Sequence, residues 1–433
     1  MHSWTTIIAL VVVFIFAVEF RPLDYFMTTY LTSPRLNITL SQATDELAHL
    51  RDYSNILSIL VITIITDYLL YKPVLLFNVF CGILFYVNLV MLPNFIRLKV
   101  FELFGAFFIP HEVVYLSYLF ARVHDKRYYQ ATSGLARTAM LLGKFCSSVF
   151  AQTLLFTRGK SYVKDLPCFT LGSVVFAFVW ASFLPPVRRR NYKDDVIAKL
   201  MVNNNNEQST TMNEKLQPSS KSISRQMWKN LNESYKNLIV LKWSIWYCLG
   251  LVGYMIINMS FLSHEFGENE QVNGVVESLT MLIGAVSSYK IGVRRVNWEL
   301  KCNAFIGSGT LILGMCVIFC YFHQQMLSVQ LSYILFGSLI QAMFVISWSE
   351  IAKQLKNKCY ALIMCFNTFI SLVVLLCYKE LFIRGNIFQI NIPEQVLLFG
   401  STYIIIGIIY LIPCGIEFKR SLENSCSVYD VSY

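Results

Sequence analysis

Charge is what this sequence holds least of. Asp, Glu, Lys and Arg together make up 14% of its 433 residues, against about a quarter in a soluble globular domain, and that scarcity excludes an ordinary water-soluble fold. No GxxxxGK[ST] phosphate cradle occurs, which argues against an ATP-driven pump. A glycine-rich potassium-type filter and an arginine-studded sensor helix are absent too, so those channel classes have no support. The twelve cysteines form no CxxC pair and no His/Cys cluster at metal spacing, so they read as packing residues and no metal site is expected. No nucleophile stands at a plausible spacing from a base, and an enzyme or a resident cofactor is not expected.

What is present is apolar: 55% of the residues are hydrophobic and 15% aromatic. Apolar runs of about 17–25 residues, long enough as helices to cross a ~30 Å hydrocarbon core, recur along the chain. Twelve are expected, near 4–26, 52–71, 73–92, 100–122, 131–156, 166–184, 239–262, 270–292, 301–322, 326–350, 358–382 and 395–415. The expected class is an all-α membrane protein whose solvent is the lipid bilayer. The opening run, WTTIIALVVVFIFAVEF, lacks a basic leader and a small-residue cleavage site, and reads as a retained first helix.

The net charge of +10 is distributed unevenly. Of 36 Lys and Arg, 24 fall on the side of residues 185–238, nine on the other side, and three (Arg21, Arg137, Lys144) inside helices. By the positive-inside rule that segment and both termini are cytoplasmic, and the charge needs no nucleic-acid partner to explain it. Residues 185–238 are polar, basic and rich in Asn and Ser, as a linker would be, with a surface helix expected over 226–242 carrying Trp228, Leu231, Tyr235 and Leu238. The linker separates a six-helix half at 1–184 from a second at 239–415, with a tail at 416–433. Two six-helix halves joined by a cytoplasmic linker is the layout of major-facilitator-type secondary transporters, whose site lies between the halves near the midplane. Asn37 opens an NIT sequon on the side assigned as extracellular and is the expected glycosylation site.

Ionisable groups cost several kcal/mol at membrane depth unless they pair, face water or bind something, so each is a candidate. Asp67 and Arg137 sit near the cytoplasmic ends of their helices and suggest a gating ion pair. Asp24, Glu112 and Glu277 lie deeper or farther out in helices one, four and eight, and no basic residue is evident beside Glu112 or Glu277. Three carboxylates around an outward-opening cavity would attract a cation. Glu112 and Tyr115 share a helix face, so charge pairing and cation–π contact would act together on a flat organic cation. Tyr118 reads as packing. His111 points about 100° from Glu112, either as a proton carrier or as a polar packing residue.

The segments FRPLDYFMTTYL, NIT, TDYLLYKPV, FELFGAFFIPHEVVYLSY, SGLARTAMLLGKFCSSVFAQ, KWSIWY, NGVVES, VNWEL and YALIMCFNTF resemble the reduced folate and thiamine carrier family. They span nearly all twelve helices in family order. The resemblance implies a major-facilitator fold and uptake of a water-soluble vitamin across the plasma membrane, linked to proton or anion gradients. It also implies that Glu112 stands where folate carriers have an arginine, Gly337 and Leu375 stand where they have further cations, and Asp24, Tyr115 and Glu277 match thiamine-type positions. Thiamine or a related cation is the expected substrate, with a folate-like anion carrier and a non-transporting receptor of the same fold as alternatives. The chain departs from the pattern at Asp24, shortened from glutamate, at GYMIINMSF in helix seven, and at Arg51 and Asp52, which replace a tryptophan and a threonine.

Overall fold

The computed structural model describes residues 4–36, 38–123, 125–187, 220–263, 270–294, 296, 298–323, 325–355, 359–384 and 391–429. It is nearly all helical. The first half contains α1 (Trp4–Glu19), the short α2 (Met27–Leu31), α3 (Leu47–Leu69), α4 (Tyr71–Val90), α5 (Phe95–Phe108), α6 (His111–Arg122), α7 (Tyr129–Arg158) and α8 (Leu166–Ser182). After α9 (Ser220–Tyr235), the second half contains α10 (Leu238–Ser263), α11 (Glu270–Val293), α12 (Trp298–Phe322), α13 (Met326–Gln354), α14 (Tyr360–Tyr378) and α15 (Ile392–Tyr429). Among the described residues, eleven spans are long and apolar enough to cross a membrane. The expected eighth span, near 270–292, is present as α11 but is not among them.

Three expected helices differ in detail. The first run ends its α-helix at Glu19 and continues through a 3₁₀ turn at Asp24–Phe26 into α2, because Pro22 lacks the amide that would carry the ladder on. The fourth run is two helices, with Ile109 and Pro110 between them. Ile109 donates back to the Gly105 carbonyl at 3.3 Å, and the next helix starts with Val114 donating to the Pro110 carbonyl at 3.2 Å. The expected surface helix over 226–242 is also two elements: α9 stops at Tyr235 and the Asn237 side chain caps α10 by accepting from the Ile239 amide at 3.0 Å. Leu231 and Tyr235 pack on the core, whereas Trp228 is exposed.

Large apolar side chains on the outer surface, including Phe77, Phe80, Phe176, Val179, Ile405, Ile408 and Ile412, remain exposed in the isolated chain. Their spacing on α15 forms one stripe, which hydrocarbon would cover. The halves meet along two helix pairs, α7 with α11 and α3 with α14, and α7 also touches α13. On the linker side the seam is tightly tied. Tyr129 and Tyr360 share a hydroxyl contact at 2.8 Å, and Gln130 donates to the Ile291 and Arg294 carbonyls at 2.6 and 2.7 Å. Lys126 reaches the Lys353 carbonyl and, at 3.1 Å, that of Leu355. Gly134 and Gly292 bring α7 and α11 together backbone to backbone: a Cβ on Gly134 would lie 2.6 Å from the Gly292 Cα.

On the opposite side, Lys379 holds both oxygens of Asp52 at 2.9 and 3.0 Å, and His49 faces Glu380 at 3.6 Å. Arg51, one of the departures from the family pattern, pairs with Glu102 on α5.

Candidate functional site

Pro110 matters because it starts a new helix at membrane depth, and that helix carries His111 and Glu112 in its first turn. Glu112 accepts from Arg137 Nη1 of α7, and Arg137 Nε donates to Gln341 Oε1 of α13 at 2.7 Å. The guanidinium also lies over the Phe344 ring, 5.3 Å from its centroid. One side chain of the first half therefore holds a carboxylate of its own half and an amide and ring of the other. A small cavity at this junction is lined by Glu112, Tyr115, Leu116, Ser133, Arg137, Val345 and Trp348, and has room for about one water molecule. Ser133 Oγ is buried with no hydrogen-bond partner in the protein, which leaves a hydroxyl available in this cavity.

Glu112 and Tyr115 line the cavity together, as their i, i+3 spacing requires. Tyr115 is buried, with its hydroxyl on Met140 Sδ at 3.6 Å and its ring edge-on to Phe14. Tyr118 donates to the Pro185 carbonyl at 2.7 Å and serves packing.

Asp24 and Glu277 belong to a neighbouring cluster. Asp24 is held by Arg21 Nε at 3.2 Å and by the Tyr86 hydroxyl at 2.7 Å. Glu277, half-buried on α11, feels the charge of Lys144 on α7 and acts in turn on Tyr25. Lys144 arrives there because α7 presses on α1 at Gly143, where a Cβ would sit 2.8 Å from the Phe16 carbonyl oxygen. The expectation of carboxylates without basic neighbours is thus corrected: Glu112 has Arg137 and Glu277 has Lys144, supplied by α7 from positions remote in sequence.

Arg137 is committed to Glu112 and Gln341, while the side chain of Asp67 and the whole of Asn37 lie outside the described residues. Among the described residues no group of three or more His, Cys, Asp or Glu is placed to hold a metal ion. Ser133, Gln341, Phe344 and Trp348 were not anticipated from sequence. They are neutral residues in apolar runs, and only the polarity of Ser133 and Gln341 at membrane depth could have marked them.

Comparison with known proteins decides the family. Residues 2–398 match the family described as reduced folate carrier. The chain belongs to it. Among its relatives, "Folate transporter 1" of Caenorhabditis elegans is 26% identical, with 94% of this chain and 91% of that protein covered. "Thiamine transporter 2" of Macaca fascicularis is 25% identical over 95% of this chain and 90% of its own length. The human "Reduced folate transporter" is 26% identical over 98% of this chain and 74% of that protein. As a member of this reduced folate carrier family the chain is a membrane transporter and not an enzyme.

Solved structures agree on the fold. A human organic anion transporter superposes with a TM-score of 0.63 at 12% identity, covering 95% of this chain and 100% of that one. The E. coli fucose:proton symporter gives 0.62 at 13% identity, covering 94% and 98%. The major facilitator proton:xylose symporter matches similarly, with a TM-score of 0.61 at 11% identity over 94% of both chains. The reduced folate carrier chain has the major facilitator fold.

Proposed function

We propose that this chain carries a water-soluble vitamin across the plasma membrane by alternating access, and that its substrate is the organic cation thiamine or a close relative. The observation that carries the reading is Glu112: a carboxylate at the start of a broken helix, beside a buried tyrosine, lining a cavity at the junction of the halves. A positively charged ring entering there would compete with Arg137 for Glu112 and gain the Tyr115 face. Arg137 would then be released toward Gln341, so substrate binding and the contact between the halves share one guanidinium. The cavity is smaller than a vitamin, and uptake therefore requires the halves to part around it. Asp24 and Glu277 add negative charge to the approach. Asp67 with Arg137 biases the linker-side gate once substrate has freed Arg137 from Glu112, Asn37 carries glycan on the far side, and the basic 185–238 linker faces the cytoplasm.

A second reading has its own support. Arg137 and Lys144 are cations at membrane depth, and a folate-type dianion could recruit both. Lys379 also lies one helical turn beyond Leu375, although Asp52 holds it.

Uptake of labelled thiamine and labelled folate into cells expressing the wild type and Glu112→Gln separates these readings. The cation reading expects thiamine uptake that Glu112→Gln reduces at least about tenfold, since loss of a buried charge partner costs ~1.4 kcal/mol or more. Folate uptake without thiamine uptake supports the anion carrier. Failure of both substrates to move defeats the vitamin-transport reading and favours a receptor.

A further inference from the structure

A second ionisable cluster is sealed beside the cavity. Glu19, the last residue of α1, and His111, the first of α6, are each only 3% exposed. His111 Nδ1 lies 2.7 Å from the Phe108 carbonyl oxygen, and Nε2 lies 3.0 Å from Glu19 Oε1. A carbonyl oxygen can only accept, so Nδ1 carries a hydrogen and donates it. The Nε2···Oε1 contact then needs one more proton. Without it a ring lone pair would face a carboxylate oxygen in a low-dielectric interior, where that repulsion is strongest. Whether the proton sits on nitrogen or on oxygen, the pair is neutral with it and carries one negative charge without it.

The surrounding charges are otherwise balanced. Glu19 Oε2 accepts from Arg21 at 2.9 Å and lies 3.9 Å from Lys144 Nζ. Arg21 is offset by Asp24, Arg137 by Glu112, and Lys144 by Glu277 within its electrostatic reach. The hydroxyls of Tyr86, Tyr25 and Tyr115 donate to Asp24, to the Lys144 carbonyl and to Met140 Sδ, and so add no charge. Among these groups, the proton between Glu19 and His111 is the one charge that can leave while the Arg21, Arg137 and Lys144 ion pairs stay intact. Its loss would give the lining the single negative charge that a monovalent cation needs.

Covalent geometry ties the two places together. His111 and Glu112 are consecutive in the first turn of α6, and Tyr115, one turn on, lines the Glu112 cavity with its ring centroid 6.0 Å from that of His111. A cation at Glu112 therefore raises the potential at the pair. Entry of the cation and exit of the proton to water leave the total charge of the lining unchanged.

We propose that Glu19 and His111 form a one-proton site whose proton is exchanged for the charge of the transported cation. The exchange rests on the organic-cation reading; the proton site itself does not.

Two experiments test it. In cells expressing the full chain, labelled thiamine uptake should rise several-fold as the external pH is raised from about 6 to about 8. His111→Gln can still donate to Glu19, and Glu19→Gln can still donate to a neutral ring, so each keeps the hydrogen bond without the exchangeable proton. Both variants should show flat profiles; a wild-type slope in either overturns the exchange. The second readout needs no substrate. Purified protein with isotope-labelled histidine, in lipid nanodiscs, should show one ring signal that His111→Gln removes, that moves with pH in the wild type and that stays fixed in Glu19→Gln. Equal movement in Glu19→Gln overturns the proton site. If the wild type carries neither thiamine nor folate, the vitamin reading falls while the ring titration still decides the proton site.

Discussion

The Arg137 guanidinium donates to Gln341 Oε1 at 2.7 Å across the seam between the two halves of the transporter, while holding Glu112 in its own half. A group shared in this way ties the Glu112 carboxylate, the proposed substrate contact, to the contact between the halves.

Arg137→Gln leaves the part-exposed Glu112 carboxylate without its cation, and loss of a hydrogen bond between charged groups costs about 2 kcal/mol. Glu112→Gln combined with Arg137→Gln should recover most of that loss, because two neutral amides can bond to one another. Thermal unfolding of the purified single and double variants, treated as a double-mutant cycle, measures the coupling. Simple additivity of the two single effects would show that the pair is not coupled in the membrane.

Gly134→Ala puts a methyl group against the Gly292 backbone, which cannot rotate out of the way. Overpacking of this kind costs about 1–3 kcal/mol. Uptake and thermal stability should both fall. Gly172→Ala on α8 meets nothing within 4 Å and serves as the control, with a change in stability of less than about 1 kcal/mol.

Asp52→Asn strips the charge partner from Lys379 on the side away from the linker. Hydrogen bonds to charged groups contribute about 2 kcal/mol, so opening of this end should become roughly thirtyfold easier. Hydrogen–deuterium exchange over residues 47–54 and 374–384 reads the change. The exchanged pair Asp52→Lys with Lys379→Asp should restore much of the protection; a variant pair no better protected than Asp52→Asn contradicts a simple ion-pair latch.

Leu70 joins α3 to α4 at φ 66° and ψ 172°, a backbone region that is essentially reserved for glycine. Leu70→Gly should therefore raise the melting temperature, with a gain of about 1 kcal/mol in unfolding free energy. A lower melting temperature would show that the Leu70 side chain contributes more than its backbone costs.

The helices were largely legible in the sequence because hydrocarbon imposes length and composition on each span separately. Glu112, Arg137, Asp24 and Glu277 were equally visible, since a charge in an apolar run is conspicuous. Their partners were not. Arg137 is 25 positions from Glu112 and Gln341 is 204 from Arg137, and no helical period connects residues on different helices. Pro110 was in plain view, yet apolar continuity favoured a single helix through it, and the missing amide prevailed. Glu19 stands three positions before Pro22, at a helix end that nothing in the sequence connects to His111. Only folding brings it to His111, 92 positions away, where it gives that histidine a polar partner as well as a place in the core.

The Gly134–Gly292 contact makes α7 and α11 a lever with its fulcrum near one end. At about 1.5 Å rise per residue, Ser148 lies about 20 Å along α7 from that crossing, so a tilt of about 10° carries it roughly 3.5 Å. That displacement exceeds the 2.7 Å Ser148–Ser278 hydroxyl contact, and the stroke at the crossing itself is almost nil. Small rotations at the glycines would thereby be amplified into a larger displacement at the far rim.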